Sequence, residues 1–427
     1  MEEWLKIKLE KADQLIQKEE YNEAIRLFIE ALQMTEEKDE LLQIQNSLAY
    51  LYQTLGEHKN AIKHYTEALE LIPSHNEDPF DLENTAHIQS SLAQSYMFLN
   101  SLKEAKEHFI TSIKLYNELL PKNENLMPFL ALSRFNLASI YSKNKDLFQA
   151  KKEMKESLKL YEALIEKKES TFLPYAANAN ATLAQLYEAD DDLYTAYVYN
   201  KKAAENFRIL ADIKSPAYLP YLAASINNMA INQKLLDYPG KSAQYFEECL
   251  AIYKSLSEKD PKNYLPFLAA NYNSLGILYN DLDNKDKGVE YYLQALEIYS
   301  KLSDEHPDDY LPYKATSLHN LGVIHDEKQS YEEAFSYYTQ ARELRNELAN
   351  AKPNAFTLDL CVTLMNLVTL YHTRLENEKD MALRDPAMEL IEDVERRLFY
   401  VDDSLPVIKS MKSDVEYFKE FFNEISF

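Results

Sequence analysis

The chain has 427 residues and a net charge of −24, from 46 Lys+Arg against 70 Asp+Glu, a field that repels phosphate backbones and anionic bilayers and removes nucleic acid from the expected partners. Its five glycines are too few for dinucleotide or protein-kinase phosphate loops, and its two cysteines, Cys249 and Cys361, sit far apart at apolar helical positions and form no disulfide framework or metal cluster. Ala, Leu, Glu, Lys and Gln dominate and strand-type alternation is scarce, which predicts an all-α protein; the acidic, amphipathic start and the lack of an 18-residue apolar run predict a cytoplasmic protein without membrane insertion.

In chain order, the first expected helix covers Trp4 to Gln17 and pairs with one carrying Ala24, Phe28 and Ala31. A second pair follows on Leu48, Ala49 and Tyr52, turns at Gly56, and returns on Ala61, Tyr65 and Ala68; a third follows on Leu92, Ala93 and Tyr96, turns at Asn100, and returns on Ala105, Phe109 and Ser112. From there the period is 46 residues. Pro128, Pro174, Pro220, Pro266 and Pro312 each follow an apolar residue and precede an aromatic one, and nine residues after each comes Leu137, Leu183, Met229, Leu275 or Leu321. Leu367 continues the series. Four residues after the repeat Leu stands an aromatic (Tyr141, Tyr187, Tyr279, Tyr371), with Gln233 and His325 as exceptions. A residue with short side chain and a ring alternate on the second helix of each pair, as at Ala334, Tyr338 and Ala341, so two backbones approach closely with the ring filling the gap. Proline has no N–H to leave unpaired at a first helical position, so each Leu-Pro predicts the start of a first helix, while Pro261, Pro307 and Pro353 predict stops after second helices. Asp191, Asp237 and Asp283 join Asn100 as expected left-handed turn residues. The ninth pair is irregular, with its second helix restarting at Pro386, and Leu405-Pro406 opens a final helix bearing Tyr417, Phe418, Phe421 and Phe422 that is expected to cap the stack.

Leu48, Ala49, Tyr52, Gly56, Ala61, Tyr65, Ala68 and Pro73 resemble the tetratricopeptide repeat, and the resemblance extends over nearly the whole chain. The family unit is about 34 residues, so the 46-residue period is more similar to long-helix variants such as kinesin light chain repeats. The resemblance implies an all-α, right-handed superhelical solenoid of about nine antiparallel helix pairs plus a C-terminal capping helix. It predicts one domain over residues 1–427, with two shorter repeats in 1–78, long repeats in 79–372, and an irregular last repeat and cap in 373–427.

No catalytic constellation is legible. Gly240-Lys241-Ser242 mimics the end of a phosphate loop, but the required first glycine falls at Leu235 and no strand precedes it, so a plain turn is the better reading. The histidines lack metal-binding spacing; His319 and His325 lie on different faces of one helix, and His325, in place of a repeat Tyr, reads as core. No enzyme activity, metal or cofactor is expected.

The informative asymmetry is one of charge. Residues 172–187, 218–233 and 264–280 contain no charged side chain, whereas the second helices carry most of the Glu, Asp and Lys. The resemblance implies that first helices line a concave groove, which is then neutral inside an acidic shell. The candidate groove residues are Asn46, Gln94, Asn136, Gln185, Asn227, Asn228, Asn273, Asn320 and Asn366, with Arg134 and Lys314 as isolated cations. Amides offer both donor and acceptor to an extended peptide or a partner helix, and the same amides could instead bridge adjacent first helices. The tyrosines flanking the prolines, Tyr175, Tyr218, Tyr221, Tyr264, Tyr310 and Tyr313, are expected to pack one unit on the next. An interaction scaffold for a protein or peptide follows; the alternatives are a peptide-responsive sensor or a module that self-associates through its C-terminal helix.

Overall fold

The computed structural model describes residues 2–73, 78–167, 170–399, 401 and 405–425, and among these there are α-helices, short 3₁₀ turns and no strand. The chain divides into two compact units, Met1–Tyr218 and Leu219–Phe427. The first unit holds α1 (Glu2–Gln17), α2 (Tyr21–Leu32), α3 (Lys38–Thr54), α4 (His58–Leu71), α5 (Pro79–Phe98), α6 (Leu102–Leu119), α7 (Met127–Lys143), α8 (Leu147–Glu166), α9 (Leu173–Glu188) and α10 (Leu193–Ile213). The second holds α11 (Leu219–Leu235), α12 (Pro239–Lys259), α13 (Pro261–Asp281), α14 (Lys285–Glu305), α15 (Pro307–Glu327), α16 (Tyr331–Ala351), α17 (Pro353–Glu378), α18 (Arg384–Leu398) and α19 (Pro406–Glu424). Each odd-numbered helix up to α17 packs on the even-numbered one after it, giving the nine pairs and one last helix expected from the sequence. Within each unit the pairs stack as an all-α solenoid.

The turn inside every pair uses one left-handed residue: Glu19, Gly56, Asn100, Lys145, Asp191, Asp237, Asp283, Gln329 and Lys379 all have φ between 58° and 77°. The next N–H then reaches back to the carbonyl at the repeat aromatic position, Ser101 to Tyr96 at 2.9 Å, Asp192 to Tyr187 at 2.9 Å and Asn284 to Tyr279 at 2.8 Å, which satisfies a carbonyl left over at the helix end. Asn, Asp and Gly suit this conformation; Glu19, Lys145, Gln329 and Lys379 adopt it because the helices on either side fix it.

Small residues carry the close approach within pairs. A Cβ built on Gly276 would come 2.6 Å from the Tyr292 ring, and one on Gly322 would run into Tyr338, so ring and backbone occupy complementary volumes. Between pairs, the aromatic after four of the five repeat prolines stacks on a buried ring of the preceding second helix: Phe129 on Tyr116 at 6.3 Å, Tyr175 on Tyr161 at 5.4 Å, Phe267 on Tyr253 at 5.8 Å and Tyr313 on Tyr299 at 5.4 Å between centroids. Such stacks add about 0.5–1.5 kcal/mol each beyond their buried area.

The prolines divide into two behaviours, which corrects one expectation. Met127-Pro128, Leu173-Pro174 and Leu219-Pro220 do open α7, α9 and α11, each after a 3₁₀ turn. Pro266 and Pro312, however, lie inside α13 and α15, which begin five residues earlier at Pro261 and Pro307. Pro261, Pro307 and Pro353 lie two residues beyond the ends of α12, α14 and α16, as expected, and each is also the first residue of the next helix. The stretch that coils as a 3₁₀ turn in the earlier repeats continues as α-helix here, at the loss of one backbone hydrogen bond per internal proline.

By length and composition α17 is apolar enough to cross a membrane. In the fold it is the central helix of the last repeats, in contact with α15, α16 and α18. The α19 rings also close on it: Phe418, Phe421 and Phe422 surround His372 with centroids at 5.4, 4.2 and 6.3 Å, and Phe422 is fully buried. The last helix thus covers the end of the stack, as its aromatic composition suggests.

Candidate functional site

Each first helix must bury the face bearing its repeat Leu, and that leaves a stripe at four fixed positions on the other side. In α5 the stripe reads Asn84, His87, Ser91, Gln94; in α7, Phe129, Leu132, Asn136, Ser139; in α9, Tyr175, Asn178, Thr182, Gln185. In the second unit it reads Tyr221, Ala224, Asn228, Ile231 on α11, then Phe267, Ala270, Ser274, Ile277 on α13 and Tyr313, Thr316, Asn320, Val323 on α15. All of these are exposed or half-buried, and none is acidic, lysine or arginine. Charge returns only at the outer first helices, with Glu40 on α3 and Asp359 on α17 at the equivalent place.

Six of the candidate groove residues lie on this stripe: Gln94, Asn136, Gln185, Asn228, Asn320 and, on α17, Asn366. Asn366 also sits 3.5 Å from the Tyr338 hydroxyl. The other five occupy neighbouring positions. Asn46 lines a cavity of about 370 Å³ between α3 and α5, together with Leu42, Gln43, Phe80, Asn84 and Ile88. Arg134 turns to its own second helix, where Glu153 of α8 takes its charge. Asn273 accepts a hydrogen bond from the Ser317 hydroxyl of α15 at 3.1 Å, so this amide does bridge two first helices. Asn227 and Lys314 are half-buried beside the stripe.

Successive first helices meet along polar seams. Gln53 of α3 donates to the Ser91 carbonyl of α5 at 3.1 Å, the Ser90 and Ser133 hydroxyls of α5 and α7 lie 2.9 Å apart, and Thr363 of α17 lies 3.3 Å from His319 Nδ1 on α15. His319 is buried, and burial, reinforced by the Arg345 charge, lowers its pKa to about 3, so it is a neutral structural group. His325, read from the sequence as core, is half-buried, with its ring tilted by 30° against Tyr337 at 5.3 Å between centroids.

The sequence pattern did not reveal that the stripe is as apolar as it is amide-rich. Ile231 and Ile277 are exposed on it, and Tyr221, Phe267 and Tyr313 remain about half exposed although the last two stack on the preceding repeat. The available signal was the 46-residue recurrence of Ile at a solvent-phase position of the helix.

Gly240-Lys241-Ser242 lies in the first turn of α12, not in a free turn; the Ser242 hydroxyl is buried against the Ala230 carbonyl at 2.8 Å and the Lys241 ammonium sits 5.1 Å from the Tyr238 ring centroid. That geometry has no phosphate cradle. Among the described residues no three His, Cys, Asp or Glu side chains gather as metal ligands would.

Tetratricopeptide repeat models match residues 5–74, 267–347 and 131–164, and the helix pairs, the small-residue seats and the ring positions fall where that repeat places them. The matched segments are tetratricopeptide repeats. No curated protein sequence matches it. Solved structures similar to this chain include the C-terminal part of a TPR repeat-containing protein from Cytophaga hutchinsonii, at 14% identity over 68% of this chain and 95% of that one with a TM-score of 0.46. BtubC (BKLC) from P. vanneervenii is similar at 18% identity over 59% of this chain and 92% of that one, TM-score 0.43. The kinesin light chain TPR-like repeats of Podosopora anserina match at 17% over 53% and 99%, TM-score 0.40. Tetratricopeptide repeat proteins generally mediate contacts between proteins, and the repeat is typically non-catalytic.

Proposed function

We propose that this chain is a non-enzymatic, cytoplasmic scaffold that holds a peptide or helical segment of another protein against the stripe of its first helices. The observation that carries the reading is the stripe's chemistry from α5 to α15: amides, hydroxyls, half-exposed rings and aliphatic side chains, with no acidic, lysine or arginine residue, on a protein of net charge −24. Amides can pair with a partner's backbone while the rings and isoleucines receive its apolar side chains. Contacts between successive first helices, α3 with α5 and α5 with α7, α13 with α15 and α15 with α17, support an inner, groove-like position for the stripe in each unit. The buried free thiols Cys249 and Cys361 support a reducing compartment.

Self-association through α19 is the weaker reading, because its rings are already engaged around His372. The test is affinity capture from the native cytosol with wild type and with an Asn228→Ala, Asn320→Ala double variant of equal helicity. Loss of specific partners from the variant is the expected result; identical recovery by both would place binding elsewhere.

A further inference from the structure

The turns of the third and fourth helix pairs carry a second surface of different chemistry. Residues 101–160 hold eleven Lys and Arg against seven Asp and Glu, the opposite of the chain as a whole. At the α5–α6 turn, Phe98 stands two residues before the left-handed Asn100 and Lys103 three residues after it; at the α7–α8 turn, Lys143 stands two residues before the left-handed Lys145 and Phe148 three residues after it. Equivalent positions on adjacent repeats therefore exchange ring and cation, and the edge presents an alternating set of two rings and two ammonium groups. Lys145, on the turn itself, and Lys152, one helical turn beyond Phe148, add two more cations.

These groups are unusually free. Phe98 is 69% exposed, though it stacks on His58 at 4.5 Å, and Phe148 is 73% exposed. Among the described residues the Lys103, Lys143, Lys145 and Lys152 side chains are exposed, and their ammonium groups make no ion pair or hydrogen bond. Other cations nearby are in use: Lys106 lies over the Tyr141 ring at 4.7 Å, Lys155 over Tyr187 at 5.2 Å, and Lys151 pairs with Asp190. Two acids border the patch: Asp146 caps α8 by accepting from the Gln149 N–H at 3.2 Å, and Glu104 stands beside Lys103 in the first turn of α6. The next turn is acidic, with Asp190, Asp191 and Asp192, so the patch has an edge and does not run on along the stack.

From this arrangement we infer that the turn edge of the third and fourth pairs docks an acidic peptide segment that also carries apolar side chains. Four unpaired lysines call for carboxylates, and two phenylalanines exposed by about 70% call for apolar cover. A membrane or a nucleic acid presents a negative field wider than the patch, which the rest of this surface repels; a short segment meets only the lysines. The site is separate from the first-helix stripe and stands whether or not that stripe binds.

The experiment measures anisotropy of a labelled glutamate–tyrosine copolymer on the full chain, beside polyglutamate and vesicles of phosphatidylserine and phosphatidylcholine. The copolymer should bind about tenfold or more tightly than polyglutamate, and a Lys145→Glu, Phe148→Ser, Lys152→Glu variant should lose about tenfold or more of that affinity. A second variant, Lys103→Glu with Lys143→Glu, should weaken binding in the same sense, and both should keep wild-type helicity. The Asn228→Ala, Asn320→Ala variant should bind the copolymer as wild type does. Equal binding by wild type and both charge-reversed variants, loss only in the asparagine variant, or preference for the vesicles would each overturn the assignment.

Discussion

The Arg345 guanidinium donates to the Asp359 backbone carbonyl at 2.8 Å, at the two positions where Tyr299 and Tyr313 stack ring on ring one repeat earlier. Arg345 is buried, donates also to the Thr363 hydroxyl at 2.6 Å, and has no carboxylate within ion-pairing distance among the described residues. The last inter-repeat contact has thus exchanged an aromatic stack for a desolvated cation held by neutral acceptors. Replacing buried ionic groups by packed apolar ones is often neutral or stabilising by about 1–4 kcal/mol. An Arg345→Tyr, Asp359→Tyr variant should therefore unfold at a higher temperature than wild type, followed by circular dichroism. A lower midpoint would mean that the His319–Thr363–Arg345 network specifies this interface in a way a ring stack cannot.

The glycines divide sharply by surroundings. Gly276→Ala forces a methyl into the Tyr292 ring, and Gly322→Ala forces one into Tyr338, whereas a Cβ on Gly240 meets nothing within 4 Å. Overpacking of this kind costs about 1–3 kcal/mol, while Gly→Ala at an unstrained helical position gains about 0.4–1 kcal/mol. The expected order of thermal midpoints is Gly240→Ala at or above wild type, with the other two below it. A Gly276→Ala protein as stable as wild type would show that the ring moves aside freely.

Acid should destabilise the second unit through His319. Its folded pKa is depressed to about 3 from an ordinary value of 6.5, so below pH 6.5 the unfolded chain binds a proton that the folded chain refuses. Stability is then full above pH 6.5 and declines as pH falls toward 3. His319→Asn, which restores the residue of the equivalent positions Asn227 and Asn273, should flatten the pH dependence of the midpoint between 6.5 and 4 relative to wild type. An unchanged slope would assign the acid sensitivity to half-buried histidines, such as His64 and His108, whose pKa values partial burial also lowers.

Much of this architecture is legible because a stacked repeat imposes one environment many times. The repeat Leu, the small-residue seats, the turn at Asn100, Asp191, Asp237 and Asp283, and the capping role of Phe422 all follow from side chains whose chemistry leaves little choice. Lys145 and Gln329 take the same left-handed conformation without a sequence signal, since the flanking helices and not the residue determine it. Pro266 and Pro312 mislead for a related reason: an internal proline removes one hydrogen bond, and helix on both sides compensates. In the candidate site the amides were visible as a recurring letter. Their division into stripe residues and bridges such as Asn273 depends on helix phase and on the neighbour across the seam.

The charge-free stripe has a consequence for how ionic strength acts on this molecule. At physiological salt, screening reaches beyond about 8 Å, so contacts made through exposed lysines weaken as salt is added while contacts made through amides and rings do not. A ligand held by Asn228, Ile231 and Tyr221 would keep its affinity across a salt titration, whereas one held by Lys143, Lys145 and Lys152 would be shed. Added electrolyte therefore sorts the two surfaces of one chain without a single substitution.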